Sequence, residues 1–183
     1  MLRQLIQRFD DVAERPFRRL RGNRVADRVF YSASAFGDFG LIWVVFALLR
    51  ALRGGRLNEK AALRAIAATG IESVLVNVAL KSLFKRRRPV NEVEHPLPLR
   101  QPLTSSFPSG HATAAFCGAT LLSDADGAAP LYFAIASIVA ASRVYVRIHH
   151  ASDVAGGAII GLLLGRIGRA LLPLDDRQGR RGR

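Results

Sequence analysis

Three polar clusters break an otherwise apolar chain, and each carries residue types able to handle a phosphate. Lys81–Pro89 reads KSLFKRRRP, Ser105–His111 reads SSFPSGH, and Ser142–Asp153 reads SRVYVRIHHASD. In the first, Lys81 and Arg88 are two helical turns apart, so they share a face if a helix continues that far. Pro89 biases Arg88 out of the helical region, which predicts a helix end there. Two fixed cations suit an anion, arginine as a planar fork and lysine as a point charge. Lys85, Arg86 and Arg87 read as a positive run flanking a membrane helix.

In the second cluster, Pro108-Ser109-Gly110 stands directly before an apolar stretch. Ser109 or Gly110 is a natural helix cap, and the exposed N–H groups of a helix start bind anions. His111, in the first turn, then faces the same site and is a candidate acid. In the third cluster, His149 and Asp153 have the i, i+4 spacing that places both on one helical face. A carboxylate that accepts from one imidazole nitrogen fixes the tautomer and leaves the other nitrogen as nucleophile or base. Arg143, further upstream, supplies another phosphate donor. Arg147 reads as facing headgroups, and His150 as pocket rim or structural.

The elements that must position these residues are apolar helices. Val29–Leu49, Ala61–Leu80, Phe107–Leu122, Ala128–Ser142 and Val154–Leu172 are low in charge and separated by charged loops. A bilayer core needs about 20 mostly apolar helical residues. The pattern predicts an all-α, integral-membrane bundle of about five transmembrane helices, with the third and fourth segments short for a span. Alternate crossings then bring all three polar clusters to one side of the membrane. Gly157, Gly161 and Gly165 form a small-xxx-small ladder for close helix packing. Asp38 and Glu72 lie inside apolar segments, where the structural reading, an interhelical pair or interfacial position, outweighs a functional one. Asp124 and Asp126 read as a solvated turn on the opposite face.

Residues 1–28 form a basic amphipathic segment, residues 29–172 the transmembrane domain, and residues 173–183 a basic polar tail expected to lack fixed structure. Leu2, Leu5, Ile6, Phe9 and Val12 recur at helical spacing, and Pro16 then interrupts. That helix either lies on the membrane surface beside anionic lipids or packs on the bundle. Eight arginines and no long apolar run in Met1–Arg28 do not read as a secretory signal.

Composition narrows the partners. The 183 residues are 50% hydrophobic, and Lys+Arg outnumber Asp+Glu by 27 to 14. Mean hydropathy is +0.17, so the positive excess points to a membrane rather than to nucleic acid. Cys117 is the single cysteine. It excludes an intrachain disulfide and a cysteine metal cluster, and reads as a small packing residue.

Lys81 with six residues before Arg88-Pro89, then Pro108-Ser109-Gly110-His111, then Ser142-Arg143 with His149 and Asp153 after it, resembles the three-part signature of the type 2 phosphatidic acid phosphatase (PAP2) superfamily, in its membrane lipid phosphatase branch. Family members commonly have six transmembrane helices, one more than the five apolar segments counted here. The resemblance implies that His149 attacks phosphorus and forms a phosphohistidine. Asp153 would orient His149, and His111 would protonate the leaving oxygen and then activate water. Lys81, Arg88 and Arg143 would hold the phosphate oxygens, with Ser109 and the Gly110 N–H assisting. It implies no metal and no cofactor, and a lipid phosphate, monoester or diphosphate, as substrate. A polyprenyl-linked sugar phosphate of the cell envelope is among the candidates.

Two other readings keep the pocket. One is a vanadium haloperoxidase-like enzyme. The other is a non-catalytic lipid- or anion-binding membrane protein, which has no need of a nucleophile beside an orienting carboxylate. The arginines ahead of the first apolar segment lean toward an N-terminus inside. With five helices, the plasma-membrane enzyme then has its site on the cytoplasmic side; a sixth helix reverses this. Oligomeric state is not readable.

Overall fold

The computed structural model describes residues 1–89 and 104–174, so all but the first two residues of the expected tail, 173–183, lie outside them. Among the described residues there are seven α-helices and no strand: α1 (Leu2–Leu20), α2 (Arg24–Phe36), α3 (Leu41–Leu52), α4 (Arg56–Val74), α5 (Gly110–Leu122), α6 (Ala129–Tyr145) and α7 (Ala151–Leu171). A π-helical stretch, Leu75–Leu80, extends α4.

Helix α5 is the axis of the bundle. Ala112–Ala115 and Cys117–Leu122 are all buried, the mark of a helix surrounded on every side. Its Ala, Gly and Thr content lets neighbours come close. The glycine ladder of α7 does what its spacing predicts. A Cβ on Gly157 would sit 2.6 Å from the Ser109 carbonyl oxygen, and one on Gly165 would sit 2.6 Å from Thr120 Cβ. A Cβ on Gly161 would collide with the Thr113 carbonyl oxygen. On another side, Gly118 leaves room for Trp43 of α3, which a Cβ would approach to 2.7 Å. Cys117 is a free, buried thiol.

Two helices are long and apolar enough to cross a bilayer, Arg56–Leu80 and Ala151–Leu171. The expected single helix over Val29–Leu49 is instead two, α2 and α3, meeting at 76°. The break is a one-turn 3-10 segment, Asp38–Gly40, closed by Gly40 at φ 67°, a backbone region that suits glycine. Taken as one bent span, this pair is a third crossing. Helix α6 is a shorter apolar helix. Helix α5 has 13 residues, about 20 Å of rise, so polar structure completes the bundle at both of its ends.

At the C-terminal end of α5, that structure is an arginine layer. Arg50, fully buried, donates to the Leu122 carbonyl at 2.7 Å and the Asp124 carbonyl at 2.8 Å. Arg64 donates to the Leu121 carbonyl at 2.9 Å and pairs with Asp124 at 2.7 Å. Arg169 donates to the Thr120 carbonyl. The last carbonyls of a helix have no intrahelical partner, and these guanidinium groups supply one. Asp124 and Asp126 are therefore not a solvated turn. Burial opposes ionisation of Asp126, yet Arg53, the Ala128 amide and the Tyr132 hydroxyl hold its carboxyl down at about 2.

Helix α1 continues through Pro16 to Leu20, where the sequence suggested an interruption. The carbonyl that Pro16 leaves unbonded belongs to exposed Val12, on the outer side where water or headgroups reach it. Phe17, beyond the proline, packs edge-on against Phe30 and Tyr145, which ties the last turn to the bundle. Helix α1 packs on the bundle by one side only. Leu2, Leu5, Phe9 and Val12 face outward, exposed, while Asp10 on the other side is buried against α7.

Candidate active site

The opposite end of α5 is built from three chain reversals. Lys81 follows the π-helical end of α4, where its Nζ donates to Asn77 Oδ1 at 2.8 Å. Gly110 opens α5, and a Cβ there would lie 3.5 Å from Lys81 Nζ. The tighter neighbour of that Cβ would be Asn77 Oδ1, at 3.2 Å, so the helix start and the Asn77–Lys81 pair lie side by side. Arg143, buried in the last turn of α6, donates to Ser34 Oγ of α2.

The chain leaves α6 in a hook. Arg147 takes φ 55°, and the amides of Ile148 and His149 both donate to the Arg143 carbonyl, at 3.2 and 3.1 Å. The hook sets His149 directly ahead of α7, which starts at Ala151. His149 Nε2 lies 3.2 Å from Arg88 Nη1. His149 Nδ1 lies 3.7 Å from Asp153 Oδ2 and has no hydrogen-bond partner. That gap exceeds a hydrogen bond, so the carboxylate faces the ring without yet holding its proton. Burial pushes the imidazole down to about 3, with Asp153 opposing and Arg143 and Arg88 reinforcing. The ring is neutral at pH 7, with one nitrogen lone pair available. Lys81 is pushed down to about 8, chiefly by burial and then by Arg88 and Arg143, with Glu72 opposing.

Arg88 reaches the site by a different route from the one its spacing suggested. The helix ends near Lys81, and residues 84–89 run without helical structure, so the two cations do not share a helical face. Arg88 is instead stapled to carbonyl groups, those of Ile148 at 3.0 Å and Thr104 at 3.2 Å. The returning strand of chain, not the helix, delivers it.

Lys81, Gly110, His111, Arg143 and His149 line one cavity of about 310 Å³, in the usual range for a small-ligand site. Ser109, directly before Gly110, is buried behind that lining, with its Oγ unpartnered and its amide bonded to the Asp153 carbonyl at 3.1 Å. His111 Nε2 lies 3.0 Å from Asp38 Oδ1 and 3.3 Å from the Ser34 carbonyl. The eight residues singled out by the three clusters thus gather at one end of the bundle. Among the described residues, no three His, Cys, Asp or Glu side chains are grouped to hold a metal ion.

Three further residues belong to the site. Asp38 sits against His111 as Asp153 sits against His149; its charge inside an apolar segment was the signal. Arg86 is not merely a flanking charge. Its Nη1 donates to Asp153 Oδ1 at 2.7 Å, and its Nη2 to Asp10 Oδ2 at 2.7 Å. Ser106 Oγ donates to Asp153 Oδ2 at 2.5 Å, and the His150 amide to the same oxygen at 2.9 Å. His150 is thereby the structural cap of α7. Nothing in the local sequence distinguished Arg86 from Lys85 or Arg87. Asp10 carried no signal beyond its place in an amphipathic helix.

A helical membrane bundle that presents fixed cations, a helix start and a neutral histidine backed by a carboxylate to one cavity is a membrane phosphatase in its class. The chain belongs to the PAP2 superfamily, whose family model matches residues 61–174. It is 32% identical over 137 residues to the decaprenylphosphoryl-5-phosphoribose phosphatase of Mycobacterium tuberculosis H37Rv, covering 73% of each chain. It is 41% identical over 69 residues to the lipid A 1-phosphatase of Porphyromonas gingivalis, a match covering 35% of this chain and 16% of that protein. Among solved structures, it is similar to a Bacillus subtilis PAP2-type phosphatidylglycerolphosphate phosphatase. The TM-score is 0.69 at 24% identity, over 98% of this chain and 90% of that one. It is also similar to Aquifex aeolicus LpxE, with a TM-score of 0.64 at 32% identity, over 84% of this chain and 92% of that one.

Proposed function

We propose that this enzyme removes the phosphate monoester of a lipid-linked substrate through a phosphohistidine, with a polyprenyl-linked sugar phosphate as the first candidate. The observation that carries the chemistry is the setting of His149: neutral, Nδ1 toward Asp153, Nε2 toward Arg88 at the cavity wall. The substrate class rests on the Mycobacterium tuberculosis relative, matched over nearly three quarters of both chains.

The phosphate enters between Lys81, Arg88, Arg143 and the first amides of α5. Arg88 moves its N–H from His149 Nε2 to a phosphate oxygen, which frees the nitrogen lone pair. Burial and Arg143 hold His111 down at about 4, with Asp38 and the Ser34 carbonyl opposing; the charge of the bound phosphate adds to Asp38 and brings the ring to its protonated form. Nε2 attacks phosphorus, the ester P–O bond breaks, and His111 gives its proton to the leaving alkoxide. Asp153 accepts the Nδ1 proton in a hydrogen bond and stabilises the cationic ring. His111, now neutral, takes a proton from water; the hydroxide attacks phosphorus and the P–N bond breaks, releasing phosphate. Phosphoryl transfer is mostly positioning and charge stabilisation, which these cations provide.

The test is phosphate release by purified protein from a panel of lipid phosphates and diphosphates, with and without a chelator. Turnover on the polyprenyl sugar monoester, unchanged by chelator, with an acid-labile phosphoenzyme trapped during it, is the expected result. Loss of activity on chelation overturns the metal-free route. Full turnover by His149→Ala overturns the nucleophile.

We place the site on the cytoplasmic side of the plasma membrane, because the arginine-rich N-terminal helix packs at the site's end of the bundle. Labelling of an Arg3→Cys variant from outside intact cells would overturn that placement; protection supports it.

A further inference from the structure

The Asp153 carboxylate is held from behind by a second carboxylate on a different part of the chain. Asp10, 8% exposed in the middle of α1, accepts three hydrogen bonds. They come from the Ser152 amide at 2.7 Å, Ser152 Oγ at 3.0 Å and Arg86 Nη2 at 2.7 Å. Arg86 spends its other amino group on Asp153 Oδ1 at 2.7 Å and Ser152 Oγ at 2.7 Å. One guanidinium therefore bridges two carboxylates, and its fork geometry fixes each relative to the other. Asp10 also binds the first turn of α7, the turn that carries Asp153.

We propose that Asp10 is a positioning residue for the reaction: through Arg86 and Ser152 it sets the place and charge of Asp153, and so the orientation of His149. The inference rests on the phosphohistidine reading. Its physical basis is twofold. Arg86 lies at the edge of the site, its side chain 28% exposed, so without Asp10 its Nη2 loses its carboxylate and the fork is held on one side only, by Asp153 and Ser152. Asp10 also balances the Arg86 charge. With that balance removed, Arg86 draws harder on Asp153 and leaves it a weaker acceptor for the His149 Nδ1 proton, when the ring becomes cationic in the transition state. Asp10 does not line the cavity that holds Lys81, Arg143 and His111; it lines a smaller one beside it that shares His149, so the phosphate's contacts with Lys81 and Arg143 are left as they were.

The experiment uses the full chain in phosphatidylcholine–phosphatidylglycerol vesicles, with the lipid phosphate that the wild type turns over. Asp10→Asn, nearly isosteric, is expected to lower kcat about tenfold while KM stays within about twofold. In an Arg86→Gln background the same change is expected to cost less than about twofold, because the residue it acts through is already gone. An unchanged kcat in Asp10→Asn overturns the proposal, as does a loss seen wholly in KM. So does a full, additive tenfold loss in the Arg86→Gln background, which would mark a general effect on folding. If wild type itself turns over no lipid phosphate, the functional reading has failed, and Asp10 is not what failed.

Discussion

The two ends of α5 meet the same physical problem with opposite solutions. At its C-terminal end, Arg50, Arg64 and Arg169 each donate to one of the orphaned carbonyls, and Asp124 and Asp126 balance them. At its N-terminal end, Lys81, Arg88 and Arg143 converge on the helix start, where Ser109 Oγ and His149 Nδ1 are buried without partners. A helix start is partially positive and favours an anion, while a helix end favours cations. The arginine layer therefore closes one end with groups of the preferred sign. The other end gathers cations against the sign the helix prefers. Asp153, Asp38 and Glu72 offset part of that charge, and an incoming anion offsets more. The first end holds the fold; the second holds back stability that a phosphate would return.

Four substitutions or conditions break or sharpen this contrast. His149→Ala is expected to cut turnover by about ten-thousand-fold or more, with an unfolding midpoint within about 2 °C of wild type. A matching drop in midpoint would mean that the open end also carries the fold. Arg50→Ala should do the reverse. It leaves the Leu122 and Asp124 carbonyls without their guanidinium donor, at about 1–3 kcal/mol for each that stays buried, read as a lower midpoint in thermal melts. Protein that remains folded should keep kcat/KM within about twofold, and a selective loss of turnover would dissolve the division. Gly161→Ala is expected to destabilise by about 1–3 kcal/mol through overpacking and to lower turnover too, because α5 and α7 carry opposite halves of the site. Equal activity in melting-matched samples would show that the helices need not touch so closely.

The smallest effect is in pH. Lys81, pushed down to about 8, is mostly charged at pH 7 and loses its proton as pH rises through 8. Its grip on phosphate should go with that proton, so kcat/KM falls by up to about tenfold per pH unit above 8. Lys81→Arg, which stays charged, should flatten that limb in a pH profile. An unchanged limb would assign it to another group.

The sequence made the site residues legible and left their supports hidden. Lys81, His111, Arg143, His149 and Asp153 stood out because chemistry needs those side chains beside apolar helix ends, which is a local pattern. Asp10 and Arg86 act across 76 and 67 residues of chain, and Arg50 meets carbonyls 72 residues away. A backbone carbonyl has no letter in the sequence, so an arginine that caps one looks like any charge at a membrane edge. Apolar content predicted the bundle and the glycine ladder its tightest contact. The break at Asp38–Gly40 was not foreseen, because two glycines and an aspartate are also compatible with a continuous membrane helix.

The glycine ladder has a consequence for how such an enzyme can change. Ser109, Gly110 and His111 open α5, while His149 and Asp153 stand at the head of α7. The three contacts at Gly157, Gly161 and Gly165 weld the two helices into one stiff splint. The reacting groups thus travel as a single part. Asp38, by contrast, comes from the bent α2–α3 pair, ahead of residue 61, where the family match begins. Walls supplied from outside a rigid splint can be rebuilt without disturbing the distance between acid and nucleophile. The molecule is a fixed tool in an exchangeable grip.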